Sequence, residues 1–223
     1  MYLIIKRVMD ILASGLALCI LSPLLLPIMV GLRFTGEGYV WYFQERIGYK
    51  NRPFQIYKFA TMLKNSPNMS GGLITLKKDP RITPMGGFLR SSKINELPQI
   101  LNIFFGEMSV VGPRPLMKKS FDTYPLDVQK VIYNVKPGLT GIGSILFRDE
   151  EELLTKVKEK GGDTWEYYSN TIYPYKGEVE KWYQTHQSLY VDMTCIFLTA
   201  WVIIFPNSIL IHTIFPSLPK RSF

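Results

Sequence analysis

Cysteine and histidine are almost missing from this 223-residue chain, and acidic residues are in deficit. Cys19 and Cys195 both sit inside apolar runs, so neither a disulfide framework nor a Cys-ligated metal site is expected. His186 and His212 are the two histidines, too few for a His-based zinc centre. Against 26 Lys+Arg stand 18 Asp+Glu, for a net charge of +8. That balance suits phosphate-rich partners: anionic lipid head groups, nucleotides or nucleic acid. Hydrophobic residues make up 47% and charged residues 20%. The chain is too apolar for disorder and too charged for a polytopic membrane bundle. Its length allows one sizeable core with little room for a second independent one.

What the chain does have is two long uncharged runs. The first, Ile11 to Leu32, would be about 33 Å long as a straight helix, enough to cross a bilayer core. Ser22-Pro23 falls at its middle and Pro27 follows one turn later, so a sharp kink is expected there. Lys6 and Arg7 precede the run, and Arg33, Arg46 and Lys50 follow it. The positive-inside rule assigns both ends to the cytoplasm. A re-entrant hairpin bent at Ser22 and Pro23 satisfies both observations and is preferred to a kinked span or a buried soluble helix. A cleavable signal peptide is not expected, because no small-x-small site followed by a polar start is evident. Lys6 and Arg7 read as interfacial anchors, and Arg7 is spaced to pair with Asp10. The second run, Met193 to Phe215, is broken by Pro206-Asn207 and followed by Lys220 and Arg221. A second bent insertion is expected, with spanning or lying on the membrane left open.

Between the runs, residues 34 to 90 are rich in Gly and Pro, with short β-like stretches at Tyr39–Phe43, Phe54–Phe59 and Leu73–Leu76. Apolar spacing predicts a helix over Glu96–Phe105, with Asn95 at the N-cap and Pro98 in the first turn. Charged helices are expected at Arg148–Lys160, stopped by Gly161-Gly162, and at Gly177–Gln187. The fold class is α+β. An N-terminal re-entrant membrane helix hairpin (1–35) joins a small, mainly helical cytoplasmic domain with short β-hairpins (36–192), and a C-terminal apolar membrane-associated segment (193–223) follows.

Chemistry concentrates in the centre. Asp79-Pro80-Arg81, Arg90, Asn95-Glu96 and Gly112-Pro113-Arg114-Pro115 bring arginines, carboxylates and a helix start close together in sequence. Arginine matches phosphate oxygens with a planar fork, and helix N-termini attract phosphate. Glu96, Asp79 or Glu107 could hold a Mg²⁺ that bridges to a diphosphate. Each feature also has a plainer reading. Asn95 and Glu96 suit an N-cap and first turn, Asp79 suits a turn before Pro80, and Gly112–Pro115 suits a rigid turn with a surface Arg. Lys136–Gly141 reads as a loop, and the Trp and Tyr residues from 165 to 183 as core or membrane-belt packing. Nucleic acid is excluded as a partner: the basic residues are dispersed, and it leaves both apolar runs unexplained.

Taken in order, Lys6-Arg7-x-x-Asp10, Ser22-Pro23, Phe43–Gly48, Tyr57-Lys58-Phe59, Asp79–Pro84, Glu96-Leu97-Pro98-Gln99, Gly112–Pro115, Lys136–Gly141 and Tyr190-x-Asp192 resemble the bacterial sugar transferase family, the monotopic phosphoglycosyl transferases acting on polyprenol phosphate. The resemblance covers roughly residues 1 to 200. It implies transfer of a phosphosugar from a UDP-sugar to undecaprenyl phosphate, with UMP released, on the cytoplasmic face of the bacterial inner membrane. In the family an Asp-Glu dyad opens a helix: the Asp attacks the sugar-bearing phosphate and the Glu binds Mg²⁺. Carried over, Glu96 takes the metal, with Asp79 as a second candidate ligand. Arg114, Arg90 and Arg81 take phosphates beside Gly112 and Pro113, and Lys58 meets substrate charge. Ser22 and Pro23 break the membrane helix that seats the lipid phosphate. A homodimer is left open.

The chain departs from the pattern at Asn95, where the family has its nucleophilic Asp, and at Ala60, where an Arg is usual. An amide is no nucleophile. Three readings follow. Glu96 is the nucleophile, with Mg²⁺ on Asp79, Asp149 or Glu150; or the lipid phosphate attacks directly in line; or the chain is a catalytically impaired relative that binds lipid and UDP-sugar as a scaffold.

Overall fold

The computed structural model describes residues 1–66, 69 and 79–223; the expected strand at Leu73–Leu76 lies outside them. Helix α1 (Tyr2–Arg33) leads into strands β1 (Trp41–Ile47) and β2 (Pro53–Phe59), which pair as a two-stranded sheet. Helices α2 (Pro84–Ser91) and α3 (Gln99–Phe105) precede strand β3 (Ser109–Val111). Short helices α4 (Lys118–Phe121) and α5 (Leu126–Val131) lead to strand β4 (Gly138–Thr140). The remainder is helical: α6 (Ile142–Leu146), α7 (Glu150–Glu159), α8 (Thr164–Tyr167), α9 (Tyr173–His186), α10 (Leu189–Ile204) and α11 (Leu210–Ile214). Two compact units result. The larger unit joins Met1–Asp10, Arg46–Phe54 and Gly106–Phe223; the smaller joins Ile11–Glu45 and Gln55–Phe105.

Helix α1 runs through Ser22-Pro23, where the sequence reading places a break. Pro23 has no N–H to give the Cys19 carbonyl four residues back. The Ser22 hydroxyl donates to that carbonyl instead, at 2.9 Å, so the two residues act as a matched pair. By length and composition α1 is long and apolar enough to cross a membrane, and little of its apolar window is buried.

In the larger unit, β3 and β4 pair in parallel, with Ser109 opposite Gly138 and Val111 opposite Thr140. Lys136–Gly141 is thus partly strand, where a loop was expected. The reason is glycine: a Cβ at Gly138 would meet the Gly112 nitrogen at 2.1 Å, and one at Gly112 the Lys136 carbonyl at 2.4 Å. The C-terminal run supplies core as well as surface. Cys195, Leu198 and Val202 pack with Val111, Val179 and Tyr183, while Met193, Phe197, Ile203 and Ile204 stay exposed. Lys6, expected as an interfacial anchor, is drawn into a buried pair with Asp192 (2.5 Å) and also donates to the Val111 carbonyl at 2.8 Å. Tyr183 and Tyr2 donate to the same carboxylate at 2.7 and 2.8 Å. A carboxylate this buried requires a cation and donors. Asp10 in turn accepts from Ser109 Oγ (3.1 Å) and Val110 N (2.9 Å).

The smaller unit is built on Ile28 and Leu32 of α1, Phe59 of β2 and Leu89 of α2, with Val40, Met85 and Ile94 against them. Thr83 caps α2 by accepting from Gly86 N at 3.1 Å, and Pro84 opens the helix. Helix α3 starts at Gln99 and not at Glu96. Pro98 lacks the N–H that would bond back to Ile94, whose carbonyl takes Leu97 N at 3.1 Å instead. Ile94–Glu96 therefore form a separate 3₁₀ turn, with Asn95 inside it and Lys93 before it in the left-handed region (φ 60°).

Candidate active site

Strand alternation sets the first member of the site. Phe59 is buried on the α1 side of β2, so its neighbour Lys58 points to the other face. Its Nζ lies 3.0 Å from Glu96 Oε1, and the two side chains are 14% and 29% exposed. Glu96 is presented by the 3₁₀ turn, whose Ile94 packs on the same apolar cluster and whose Asn95 is buried. Asn102 fixes the opposing strand. Fully buried in α3, it donates to the Gln55 carbonyl (2.7 Å) and accepts from Tyr57 N (3.0 Å). Arg90 follows the core residue Leu89 on α2, is half-buried, and donates to Thr61 Oγ1 at 3.4 Å.

The other candidates fall into distinct environments. Asp79 and Arg81 spend themselves on each other: Nε to Oδ1 is 2.9 Å, Nη2 to Oδ2 is 2.6 Å, and both side chains are under 5% exposed. Arg81 Nη1 also reaches the Ser66 carbonyl at 3.3 Å. A phosphate could use Arg81 only by breaking that fork. In the larger unit, Gly112 N bonds to the Thr140 carbonyl at 2.9 Å and the Pro113 carbonyl accepts from Gly138 N at 2.8 Å. Those two residues serve strand pairing, and the exposed Arg114 is the charged side chain of their segment. Asp149 pairs with Arg221 at 2.6 Å, and Glu150 accepts from Lys176 at 2.5 Å and from the Tyr168 hydroxyl. Burial lowers the Lys176 pKa below its ordinary value, and burial lifts Glu180, beside Gly143, to about 7.

Magnesium fits this donor set in one place. Among the described residues no three of His, Cys, Asp and Glu converge. Mg²⁺ bound to a diphosphate needs only one or two carboxylates, the remaining positions going to water and phosphate. The partly exposed Glu96 meets that requirement; Asp79, with both oxygens on Arg81, does not.

The family model for bacterial sugar transferases matches residues 1–206. The chain belongs to the bacterial sugar transferase family. The exopolysaccharide production protein ExoY of Rhizobium meliloti (strain 1021) is 38% identical over 167 residues, 68% of this chain and 73% of the relative. A UDP-glucose:undecaprenyl-phosphate glucose-1-phosphate transferase of Klebsiella pneumoniae is 34% identical over 204 residues, 89% of this chain and 40% of that protein. An undecaprenyl-phosphate galactose phosphotransferase of Salmonella typhimurium is 31% identical over 214 residues, 90% of this chain and 40% of the relative. This sugar transferase thus spans well under half the length of the latter two. Their names share the lipid acceptor and differ in the sugar. One site contributor escapes sequence reading: Asn102, signalled only by an amide among the apolar residues of α3.

Proposed function

We propose that this sugar transferase moves a phosphosugar from a UDP-sugar to undecaprenyl phosphate and releases UMP, a first membrane step of polysaccharide assembly at the cytoplasmic face. The observation that carries the reading is the Lys58–Glu96 pair. It is mounted on the apolar cluster that also holds Ile28 and Leu32 of α1, so a charged site grows from the packing of the membrane helix itself.

In this reading the chain positions two anions and leaves the bond exchange to them. Arg90 in the smaller unit meets donor phosphate with its planar fork, and Arg114 in the larger unit is the second phosphate candidate. Lys58 keeps the Glu96 carboxylate in one orientation and adds positive charge. Glu96 would hold Mg²⁺, which supplies neutralisation of the diphosphate charge when bound. The acceptor's phosphate oxygen attacks the sugar-bearing phosphorus; the bond to UMP breaks, and UMP leaves with its electron pair. The attacking group is already an anion and needs alignment more than activation. The buried amide of Asn95 is consistent with a route that forms no carboxyl-phosphate intermediate at that position.

A re-entrant α1 is supported by the partners of its two ends. Lys6 and Asp10 bond to Asp192 and to the Ser109-Val110 segment. Ile28 and Leu32 pack on Phe59 and Leu89. Among the described residues after α1, no helix is long and apolar enough to cross a bilayer.

The test is Mg²⁺-dependent UMP release in membranes, with undecaprenyl phosphate and a panel of UDP-sugars, for the native chain and Asn95→Asp. Release by the native chain only when the lipid phosphate is present, with no mass added to the protein by UDP-sugar alone, is the expected result. Silence from the native chain with recovery in Asn95→Asp would overturn the direct route. Silence from both would favour the scaffold.

A further inference from the structure

Within the larger unit, the four-residue segment Pro113–Leu116 is held through its whole backbone, with Pro113 and Pro115 buried and Arg114 exposed between them. Every carbonyl from Pro113 to Leu116 has a protein donor. The Pro113 carbonyl takes Gly138 N at 2.8 Å, the Pro115 carbonyl takes Arg46 Nη1 at 3.4 Å, and the Leu116 carbonyl takes Ile47 N at 2.8 Å. The Arg114 carbonyl takes the Tyr133 hydroxyl at 2.8 Å. The same hydroxyl accepts from Leu116 N at 2.9 Å, so one phenol oxygen spans the peptide units on both sides of Pro115. Pro113 and Pro115 fix their own φ, and Pro115 confines Arg114 to extended backbone.

Tyr133 itself cannot swing. It is 1% exposed, its ring stacks on Phe121 with centroids 5.8 Å apart, and Ile47, Val128, Ile132 and Tyr173 complete the cluster around it. Arg46 turns its guanidinium onto the Pro115 carbonyl, whereas Arg114, the one charged residue of the four, is exposed. A rigid frame around a single outward guanidinium is the arrangement that presents a planar fork to an anion with little ordering cost on binding.

We infer that Tyr133 is a positioning residue for Arg114: its hydroxyl, bridging Arg114 O and Leu116 N, fixes the direction in which the guanidinium meets a nucleotide diphosphate. The inference deepens the proposed function and rests on its assignment of Arg114 to donor phosphate. It makes a buried phenol a determinant of donor affinity.

The experiment measures UDP binding to the full chain in detergent by calorimetry, for the native chain, Tyr133→Phe, Arg114→Ala, the double variant and Phe121→Leu. Tyr133→Phe keeps the ring and removes only the bridge. Its Kd for UDP is expected to rise about three- to tenfold, the range for one or two lost hydrogen bonds. Arg114→Ala is expected to weaken binding more, and the double variant to match Arg114→Ala, because the hydroxyl acts only through that side chain. Phe121→Leu loosens the same cluster but keeps the hydroxyl bridge, and should lower the melting temperature while raising Kd less than Tyr133→Phe does. Native-like UDP binding by Tyr133→Phe, a loss that adds in full to that of Arg114→Ala, or a Phe121→Leu defect equal to that of Tyr133→Phe would each overturn the inference. Unchanged binding in Arg114→Ala, or no UDP binding by the native chain, would instead fail the underlying phosphate assignment and take the inference with it.

Discussion

At the scale of single residues, the decisive contrast is between carboxylates that face outward and carboxylates that are consumed. Asp79, Asp149, Glu150 and Asp192 each lie against a cation, and Asp10 serves the β3 backbone. Glu96 also has a cation partner, yet it is partly exposed and sits on a turn that breaks away from the helix behind it. Glu96→Ala is therefore expected to reduce UMP release by at least about a hundredfold, the scale for losing a group that organises charge in the transition state, while the protein still inserts in membranes. Near-native release would sink the assignment. Glu180 allows a second test, independent of catalysis. Burial raises its carboxyl from 4.5 to about 7. The folded state then keeps a proton that the unfolded state has lost, so this group's contribution to stability falls as pH rises from about 4.5 to about 7 and stays level above. Glu180→Gln, which fixes the neutral form, should be more stable than the native chain at pH 8 by about 3 kcal/mol and by under about 1 kcal/mol at pH 5. Denaturant melts at the two pH values check this; an equal gain at both would mean that Glu180 is not protonated by its surroundings.

At the scale of elements, pairing and packing decide what sequence pattern alone leaves open. Strands β1 and β2 and helices α7 and α9 were legible because alternation, flanking glycines and charge runs are local signals. The start of α3 was misplaced by three residues, because apolar periodicity cannot register a missing N–H at Pro98. Lys136–Gly141 read as a loop because a parallel partner thirty residues upstream leaves no local trace. The Lys58–Glu96 pairing was invisible for the same reason: the two residues are brought together by Phe59, Ile94 and Asn102, and each of those looks like ordinary core. Asn102→Ala makes the point testable. It leaves the Gln55 carbonyl and Tyr57 N–H without their buried partner, at an expected cost of about 2–3 kcal/mol. Activity should fall further than the melting temperature accounts for, because β2 carries Lys58. Gly138→Ala should be worse. Its Cβ would stand 2.1 Å from a backbone nitrogen that cannot rotate away, so the β3–β4 pairing has to open and the chain should fail to reach its folded state in expression trials.

At the scale of the whole molecule, the question is how a 32-residue helix meets a bilayer whose hydrocarbon core is only about 30 Å thick. A straight helix of that length measures about 48 Å, so it overshoots if it spans and has length to spare if it turns back. The proposed re-entrant reading is one in which both ends of α1 keep their partners. The first ten residues of the helix give Lys6 and Asp10 to partners far along the chain, and its last turns give Ile28 and Leu32 to the apolar cluster beneath β2. Losing the partners of either end would strand the buried Asp192 or expose that cluster, at several kcal/mol in each case. Cysteines introduced at positions 3 and 37, in a chain with Cys19 and Cys195 replaced by serine and alanine, should therefore react with an impermeant maleimide from the same side. Labelling from opposite sides would rule out the re-entrant reading. The Ser22-Pro23 pair supplies the complementary arm. Replacing Pro23 and Pro27 together with leucine restores the two missing backbone donors and favours one straight helix. If the prolines hold the bend, position 3 in that variant should become accessible from the far side in a measurable fraction of molecules, with UMP release falling in proportion. Unchanged labelling would place the topology in the contacts of the two helix ends, and Lys6→Met should then produce the shift that the proline replacement did not.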